Sequence, residues 1–274
     1  MTARYMTRAR LGDLESQLAD RDWHVLRSVT ELRFVSGDQL RRMHFGDGDA
    51  QSRAARRALL RLTTLGVLTR LPRRVGGVRA GSAGFIYRSG SAGQRLASAR
   101  GWLPSGQRRS VSPGTLFLRH CLDVAELHTL LHEADRAGQV ELLALDSEPG
   151  CWRSFAGRGI RGAATLKPDS FVRLGVGDYE FVSFIEVDRG THGSRAIGTK
   201  LGQYVSYHQS GIEQAAHGVF PKVVWTVPDE GRAEVIWSCI GQLARPARSL
   251  FAVTLLADVL AAVVKPVSVS GSEV

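Results

Sequence analysis

The stretch from residue 179 to residue 188 constrains the fold more than any other part of this chain. Its ten residues, Tyr-Glu-Phe-Val-Ser-Phe-Ile-Glu-Val-Asp, are rich in aromatic and β-branched side chains, which favour a half-buried β-strand. The preceding residues 175–178, Gly-Val-Gly-Asp, have the composition of a turn. Residues 171–174 and 179–188 are therefore predicted to pair as a β-hairpin.

Three acidic residues lie where this hairpin begins and ends. Asp169 stands at the start of the first strand, and Glu186 and Asp188 stand at the end of the second. Side chains alternate along a strand, so Glu186 and Asp188 share one face. Because a hairpin brings its two ends together, the sequence predicts a cluster of three carboxylates. Such a cluster is typical of a site for a hard divalent cation, here Mg²⁺ or Mn²⁺.

The segment after the hairpin has helical periodicity over residues 194–210. This predicted helix carries polar and aromatic residues one turn apart, namely Lys200, Gln203, Tyr204 and Tyr207. Residues three or four positions apart share a helix face, so Lys200 and Tyr204 are predicted to be neighbours.

Together these motifs resemble the PD-(D/E)XK nuclease superfamily. The matching residues are Pro168-Asp169 and Glu186-Val187-Asp188, with Asp188 where the superfamily usually has lysine, and Gln203-x-x-x-Tyr207 is similar to a helix motif of its exonuclease branches. The run from Pro168 to Tyr204 also resembles the replication-relaxation family of actinobacterial plasmids and mobile elements, which joins a winged helix to a nuclease-like domain. The resemblance implies metal ligation by Asp169, Glu186 and Asp188. The catalytic set that it implies is Asp169, Glu186, Asp188, Lys200, Gln203, Tyr204 and Tyr207.

The aspartate at position 188 leaves two interpretations of this site open. Lys200 or Lys167 supplies the missing ammonium group, and the domain is a Mg-dependent DNA endonuclease or nickase. Alternatively, Asp188 pairs with Arg189 or Arg195, and the domain is a degenerate nuclease fold that holds DNA without cutting it.

The charge of the chain is divided unevenly between its two halves. Of a net charge of +10, residues 1–115 contribute 21 Arg against 8 acidic residues, whereas residues 116–274 contribute 15 basic against 18 acidic residues. A codon bias towards arginine explains 32 Arg against 4 Lys, but it does not explain the imbalance between the halves. A polyanion, most simply double-stranded DNA, is the expected partner of the basic half.

The basic half has the element order of a winged helix-turn-helix. Helices are predicted from residue 20, over residues 36–45 and over residues 50–65, followed by strands at 67–71 and 84–88 that flank a basic, Gly-rich loop. In such folds the third helix enters the major groove and the hairpin contacts the backbone. The predicted DNA-binding residues are Arg53, Arg56, Arg57 and Arg61 on the third helix and Arg73, Arg74 and Arg79 in the loop. The alternative is a solvated arginine face on an ordinary helical hairpin.

The predicted architecture is α+β with two domains. They are a winged-helix domain over residues 1–100 and an α/β PD-(D/E)XK-like domain with a mixed sheet over residues 116–265. A linker at residues 101–115 and a flexible tail at 266–274 complete the chain. A long helix at residues 115–137 is apolar on more than one side, which would suit a homodimer.

Cysteine use and hydropathy indicate a cytoplasmic protein. Cys121, Cys151 and Cys239 have neither metal-ligand spacing nor an even count, which suits buried thiols in a reducing compartment. No export signal or membrane-spanning run is recognised.

Two functions from different classes follow from these observations. The first is a DNA-binding protein of a plasmid or mobile element that acts in replication, relaxation or DNA processing, with metal-dependent phosphodiester cleavage as a further activity. The second is a non-catalytic transcriptional regulator or partition factor whose second domain dimerises. Binding of a divalent cation distinguishes the two.

Overall fold

The computed structural model describes residues 7–74, 84–102, 113–156 and 162–265. The chain divides into two compact units, Met1–Thr129 and Leu130–Val274. The basic loop around Arg79, most of the predicted linker and the predicted tail at 266–274 lie outside the described residues, as do the side chains of Arg73 and Arg74.

The first unit consists of helices around a small antiparallel sheet. Its elements are α1 (Arg8–Ser16), α2 (Asp20–Glu31), β1 (Val35–Ser36), α3 (Gly37–His44), α4 (Asp49–Thr64), β2 (Leu68–Arg74), β3 (Phe85–Ser89), α5 (Ser91–Ala99) and the first part of α6 (Thr115–Arg136). The strand order is β1-β3-β2, and both pairings are antiparallel. The three predicted helices and the predicted pair of strands are confirmed, and β1 is an addition.

Local sequence signals explain how α2 packs and where α3 begins. On α2, Val25, Leu26 and Val29 form an apolar stripe, and each of them is at most 1% exposed. Helix α3 begins with a capping box: Ser36 Oγ accepts from Gln39 N at 3.2 Å, and Ser36 N donates to Gln39 Oε1 at 3.0 Å. Two of the donors that a helix start leaves unpaired are satisfied in this way.

The division between the units falls inside α6, whereas the sequence had favoured the stretch at residues 101–115. The first part of α6 packs on its own side of the division, because Gln39 of α3 donates to Leu122 O at 2.8 Å and to Glu126 Oε2 at 3.0 Å. Arg42 forms an ion pair with the same Glu126. A small core also joins Leu118 and Cys121 of α6 to residues of β2, β3 and the segment before β1. Polar and apolar contacts therefore both assign this part of the helix to the first unit.

The second unit is built on a mixed five-stranded sheet with the order β10-β9-β8-β7-β4. Its strands are β4 (Glu141–Ser147), β7 (Ser170–Val176), β8 (Tyr179–Val187), β9 (Lys222–Val227) and β10 (Phe251–Leu255), and a separate hairpin joins β5 (Arg153–Ala156) to β6 (Ala163–Leu166). Its remaining helices are α7 (Ser194–Ser210), α8 (Ile212–His217), α9 (Glu230–Gly241), α10 (Arg245–Arg248) and α11 (Val259–Val263). Strands β4, β7 and β8 pair antiparallel, and β8, β9 and β10 pair parallel. The predicted mixed sheet is thus confirmed.

Helices α7 and α9 cover the sheet with the main hydrophobic core of this unit. Phe184 of β8 is fully buried in it, together with Leu201 of α7 and Ile236 of α9. The segment at 250–264 contains both strand and helix, since β10 is followed by a 3₁₀ turn and α11. The hairpin β5–β6 and the short helices α8 and α10 are absent from the sequence prediction.

Two expectations about composition can be compared with the structure. The three cysteines are free and buried, as predicted. Among the described residues, no helix combines the length and the apolar character that crossing a membrane requires.

Candidate functional site

The β7–β8 hairpin places Asp169 beside the end of β8. Strand register pairs Ser170 with Ile185, and Asp169 N extends the ladder by donating to Ile185 O at 3.1 Å. The carboxylate then turns back, and its Oδ2 accepts from Val187 N at 2.7 Å. Asp169 is 8% exposed, so a backbone hydrogen bond satisfies an almost buried charge.

Glu186 is buried and contacts two side chains from α7. Lys200 Nζ forms an ion pair with Glu186 Oε2, and Tyr204 OH donates to Glu186 Oε1. Lys200 and Tyr204 lie four residues apart and therefore share a helix face, as the sequence predicted. Glu186 is only 3% exposed, so each of its oxygens has a protein partner where water has little access.

Burial also changes the protonation of these groups. Burial raises the pKa of Glu186 to about 7, and the charge of Asp169 adds to this shift, whereas Lys200 and Tyr204 oppose it. For Lys200, burial alone would lower the pKa, but Glu186 and Asp169 outweigh burial and the net shift is upward. The pKa of Tyr204 is raised well above its usual value by burial and by Glu186. Lys200 therefore stays charged and Tyr204 stays protonated near neutral pH.

Asp188 is held by an arginine that sequence analysis did not name. Arg232 of α9 donates from Nε to Asp188 Oδ1 at 2.6 Å and from Nη2 to Asp188 Oδ2 at 2.9 Å, a bidentate pair. Gly190 N donates to the same Oδ1 at 2.7 Å. The sequence had offered Arg189 and Arg195 as partners. Arg232 lies 44 residues beyond Asp188, and no local motif connects the two.

The other predicted residues of α7 lie apart from Glu186. Gln203 is exposed, whereas Tyr207 is buried and donates through its hydroxyl to Glu213 Oε1 at 2.8 Å. Arg153 of β5 donates to the same oxygen at 2.6 Å. Arg153, Tyr207 and Glu213 thus form a second polar cluster, of which sequence analysis identified only Tyr207.

Two residues just before Asp169 complete its surroundings. The buried thiol of Cys151 donates to Pro168 O at 3.0 Å, and burial raises its pKa, so it remains a neutral packing group. The ammonium of Lys167 lies 4.4 Å from the centre of the Trp152 ring. Of the two lysines considered for the missing ammonium, Lys200 is the one that contacts Glu186.

The donor set does not fit a divalent cation in this arrangement. Both Glu186 oxygens are occupied by Lys200 and Tyr204, and the Asp188 carboxylate is occupied by Arg232. Within the ranges that the structure describes, no group of three or more His, Cys, Asp or Glu side chains is arranged to hold a metal ion. Glu186 and Asp188 each pair with a cationic side chain, and Asp169 accepts a hydrogen bond from the backbone of Val187.

The arginines of α4 fall into two groups. Arg53, Arg56 and Arg57 are exposed, and Arg53 and Arg57 have no hydrogen-bond or ion-pair partner among the described residues. Arg61 is different, because it forms an ion pair with the buried carboxylate of Asp22. The first three are available to an external partner, whereas Arg61 stabilises the unit itself.

Comparison with known proteins gives one match. A family model described as replication-relaxation matches residues 26–223, which is more than half of the chain. No curated protein and no solved structure matches the chain.

Proposed function

The chain belongs to the replication-relaxation family, and we propose that it is a cytoplasmic DNA-binding protein acting in the replication or processing of plasmid or mobile-element DNA. In this proposal the first unit is a winged helix that binds duplex DNA. The second unit has a PD-(D/E)XK-like fold and holds DNA without cutting it.

The observation that carries the DNA-binding proposal is the exposed arginine face of α4. This helix is the third of the run α2, α3, α4 and directly precedes the antiparallel β2–β3 pair, which is the position of the recognition helix in a winged helix. Its only acidic residue, Asp49, lies in the first turn. From Arg53 onwards the helix carries arginines and no acidic residue, so Arg53, Arg56 and Arg57 present a positive face of the kind that binds phosphates.

Salt-dependent binding to a duplex tests this proposal. The parent should bind with an affinity that falls steeply as salt rises, because each neutralised phosphate releases counterions and contributes about 0.9 to the slope of log K against log salt. Replacing Arg53, Arg56 and Arg57 together with Ala should weaken binding and reduce that slope by up to about 0.9 for each phosphate that is no longer neutralised.

Arg61→Ala is the matched control for these replacements. It removes an arginine from the same helix, but one that is paired with Asp22. It should lower the free energy of unfolding while leaving the salt slope close to that of the parent. Equal slopes for the parent and the triple variant would reject α4 as the DNA-contacting helix.

The closed arrangement around Glu186 supports binding without cleavage. A PD-(D/E)XK nuclease needs carboxylates that are free to hold a cation, and it usually has a lysine at the position of Asp188. Here Lys200 and Tyr204 occupy Glu186, and Arg232 occupies Asp188. A cation would have to displace two protein partners from a buried carboxylate.

One contact favours a second candidate, Mg- or Mn-dependent cleavage of DNA. The ammonium of Lys200 lies at Glu186, so a helix lysine stands close to where the superfamily lysine would act. On this view the contact belongs to a resting state of a nuclease in which Lys200 replaces the lysine missing at 188.

Incubation with supercoiled plasmid separates the two candidates. The parent, Asp169→Ala and Lys200→Ala are each incubated with Mg²⁺ or Mn²⁺, with Asp178→Ala as a matched control that removes an exposed acid from the turn at the opposite end of the hairpin. Intact plasmid, together with no ion binding by calorimetry, is the result expected for a non-cutting unit. Nicking that persists in Asp178→Ala but is lost in Asp169→Ala and Lys200→Ala would establish the nuclease instead.

A further inference from the structure

An exposed leucine lies within the arginine face of α4. Leu60 is 55% exposed, whereas Leu59 and Leu62 on the same helix are at most 3% exposed. Arg53, Arg56 and Leu60 are spaced by three and four residues and therefore follow one side of the helix. More than half of Leu60 is exposed, so its side chain is available to a partner.

The charge around Leu60 identifies the class of partner. A neutral or acidic protein surface could cover an exposed leucine, but three exposed arginines on the same face favour a polyanion. Within duplex DNA, the major groove offers one apolar group on a base edge, the 5-methyl group of thymine. An aliphatic side chain one helical turn after phosphate-binding arginines is suited to contact it.

We propose that Leu60 contacts thymine methyl groups in the major groove and gives the protein a preference for thymine-containing sites. This inference rests on the proposed DNA-binding function and adds a specificity-determining residue to it. The arginines then supply affinity by binding the phosphates of the DNA, and Leu60 supplies a part of the sequence preference.

Replacing thymine with uracil tests this proposal, because uracil lacks only the methyl group. Binding of the parent to an alternating dA–dT duplex is compared with binding to a dA–dU duplex of the same length and at the same salt. Removing one buried methyl group from the interface should weaken binding about fourfold. Leu60→Ala should bind both duplexes alike, and the exchange suits an exposed helical position, where alanine is favourable.

Leu116→Ala is the matched control, because it truncates another exposed leucine of the first unit, 63% exposed, on a different helix. It should keep the preference of the parent for dA–dT. If the parent binds both duplexes equally, or if the preference persists in Leu60→Ala, the inference about Leu60 is overturned and the proposed function stands. If the parent binds neither duplex nor any other DNA, both are overturned.

Discussion

The buried carboxylate of Glu186 should make the stability of this protein depend on pH, and Glu186→Gln isolates that dependence. The pKa of Glu186 is raised from its ordinary value of 4.5 to about 7, first because of burial and second because of the neighbouring Asp169. The folded protein therefore holds a proton at Glu186 over a pH range in which the unfolded chain has released it. The stabilisation is fully present below the pKa that Glu186 has in the unfolded chain, 4.5, and it is lost as pH rises through the pKa of Glu186 in the folded protein, about 7.

The size of the effect follows from the shift. One pKa unit corresponds to about 1.4 kcal/mol, so the group contributes on the order of 3 kcal/mol at low pH, most of which is lost by about pH 8. Glutamine has nearly the same shape and does not titrate. The free energy of unfolding of the parent should thus fall relative to that of Glu186→Gln by roughly 2 to 3 kcal/mol between about pH 5 and pH 8.

Chemical denaturation of both proteins at several pH values measures this difference. Histidines and other groups that titrate in the same range are common to both proteins, so their contributions cancel in the comparison. A chelator in every buffer removes any contribution from divalent ions. A difference in unfolding free energy that stays constant from about pH 5 to pH 8 would refute the assignment of the titration to Glu186.

Two further predictions concern packing and charge. Arg232→Ala should lower the free energy of unfolding by about 3 to 5 kcal/mol, because it removes the cationic partner of the buried Asp188. The double variant Asp188→Asn with Arg232→Ala should recover part of that loss. Thermal or chemical denaturation measures the free energy of unfolding of both variants. Gly93→Ala should destabilise the first unit by about 1 to 3 kcal/mol in the same assay, because a β-carbon there would clash with the backbone carbonyl of Val67; a fully stable variant would show that α5 can shift away.

The elements that could be predicted from the sequence are those with strong local signals. The bounds predicted for α7, residues 194–210, agree with the structure. Helical periodicity ends at Gly211, which has φ +71° and closes α7. The hairpin β5–β6 was missed because its strands are four residues long and lack a clear alternation of apolar and polar residues.

The contacts of the candidate site that follow from hairpin register and helix periodicity could be predicted from the sequence. Register explains why Asp169 reaches the end of β8, and the four-residue spacing explains why Lys200 and Tyr204 meet one carboxylate. Arg232 and Glu213 could not be predicted in the same way. Arg232 lies 44 residues from Asp188, and Glu213 lies 60 residues from Arg153, so these two pairings depend on how α8 and α9 pack rather than on any local pattern.

The ion pairs at Glu186 and Asp188 meet one electrostatic requirement. A carboxylate that is less than a tenth exposed needs a compensating charge, which at Glu186 and Asp188 is a protein side chain. Asp188 adds a negative charge at the end of β8, and Arg232 offsets it with a bidentate pair. Once Lys200 also offsets Glu186, the demand for a cation at this end of the hairpin is lower than for three unpaired carboxylates. The arginine at Asp188 and the lysine at Glu186 therefore have the same effect, because each replaces the positive charge that a bound cation would supply.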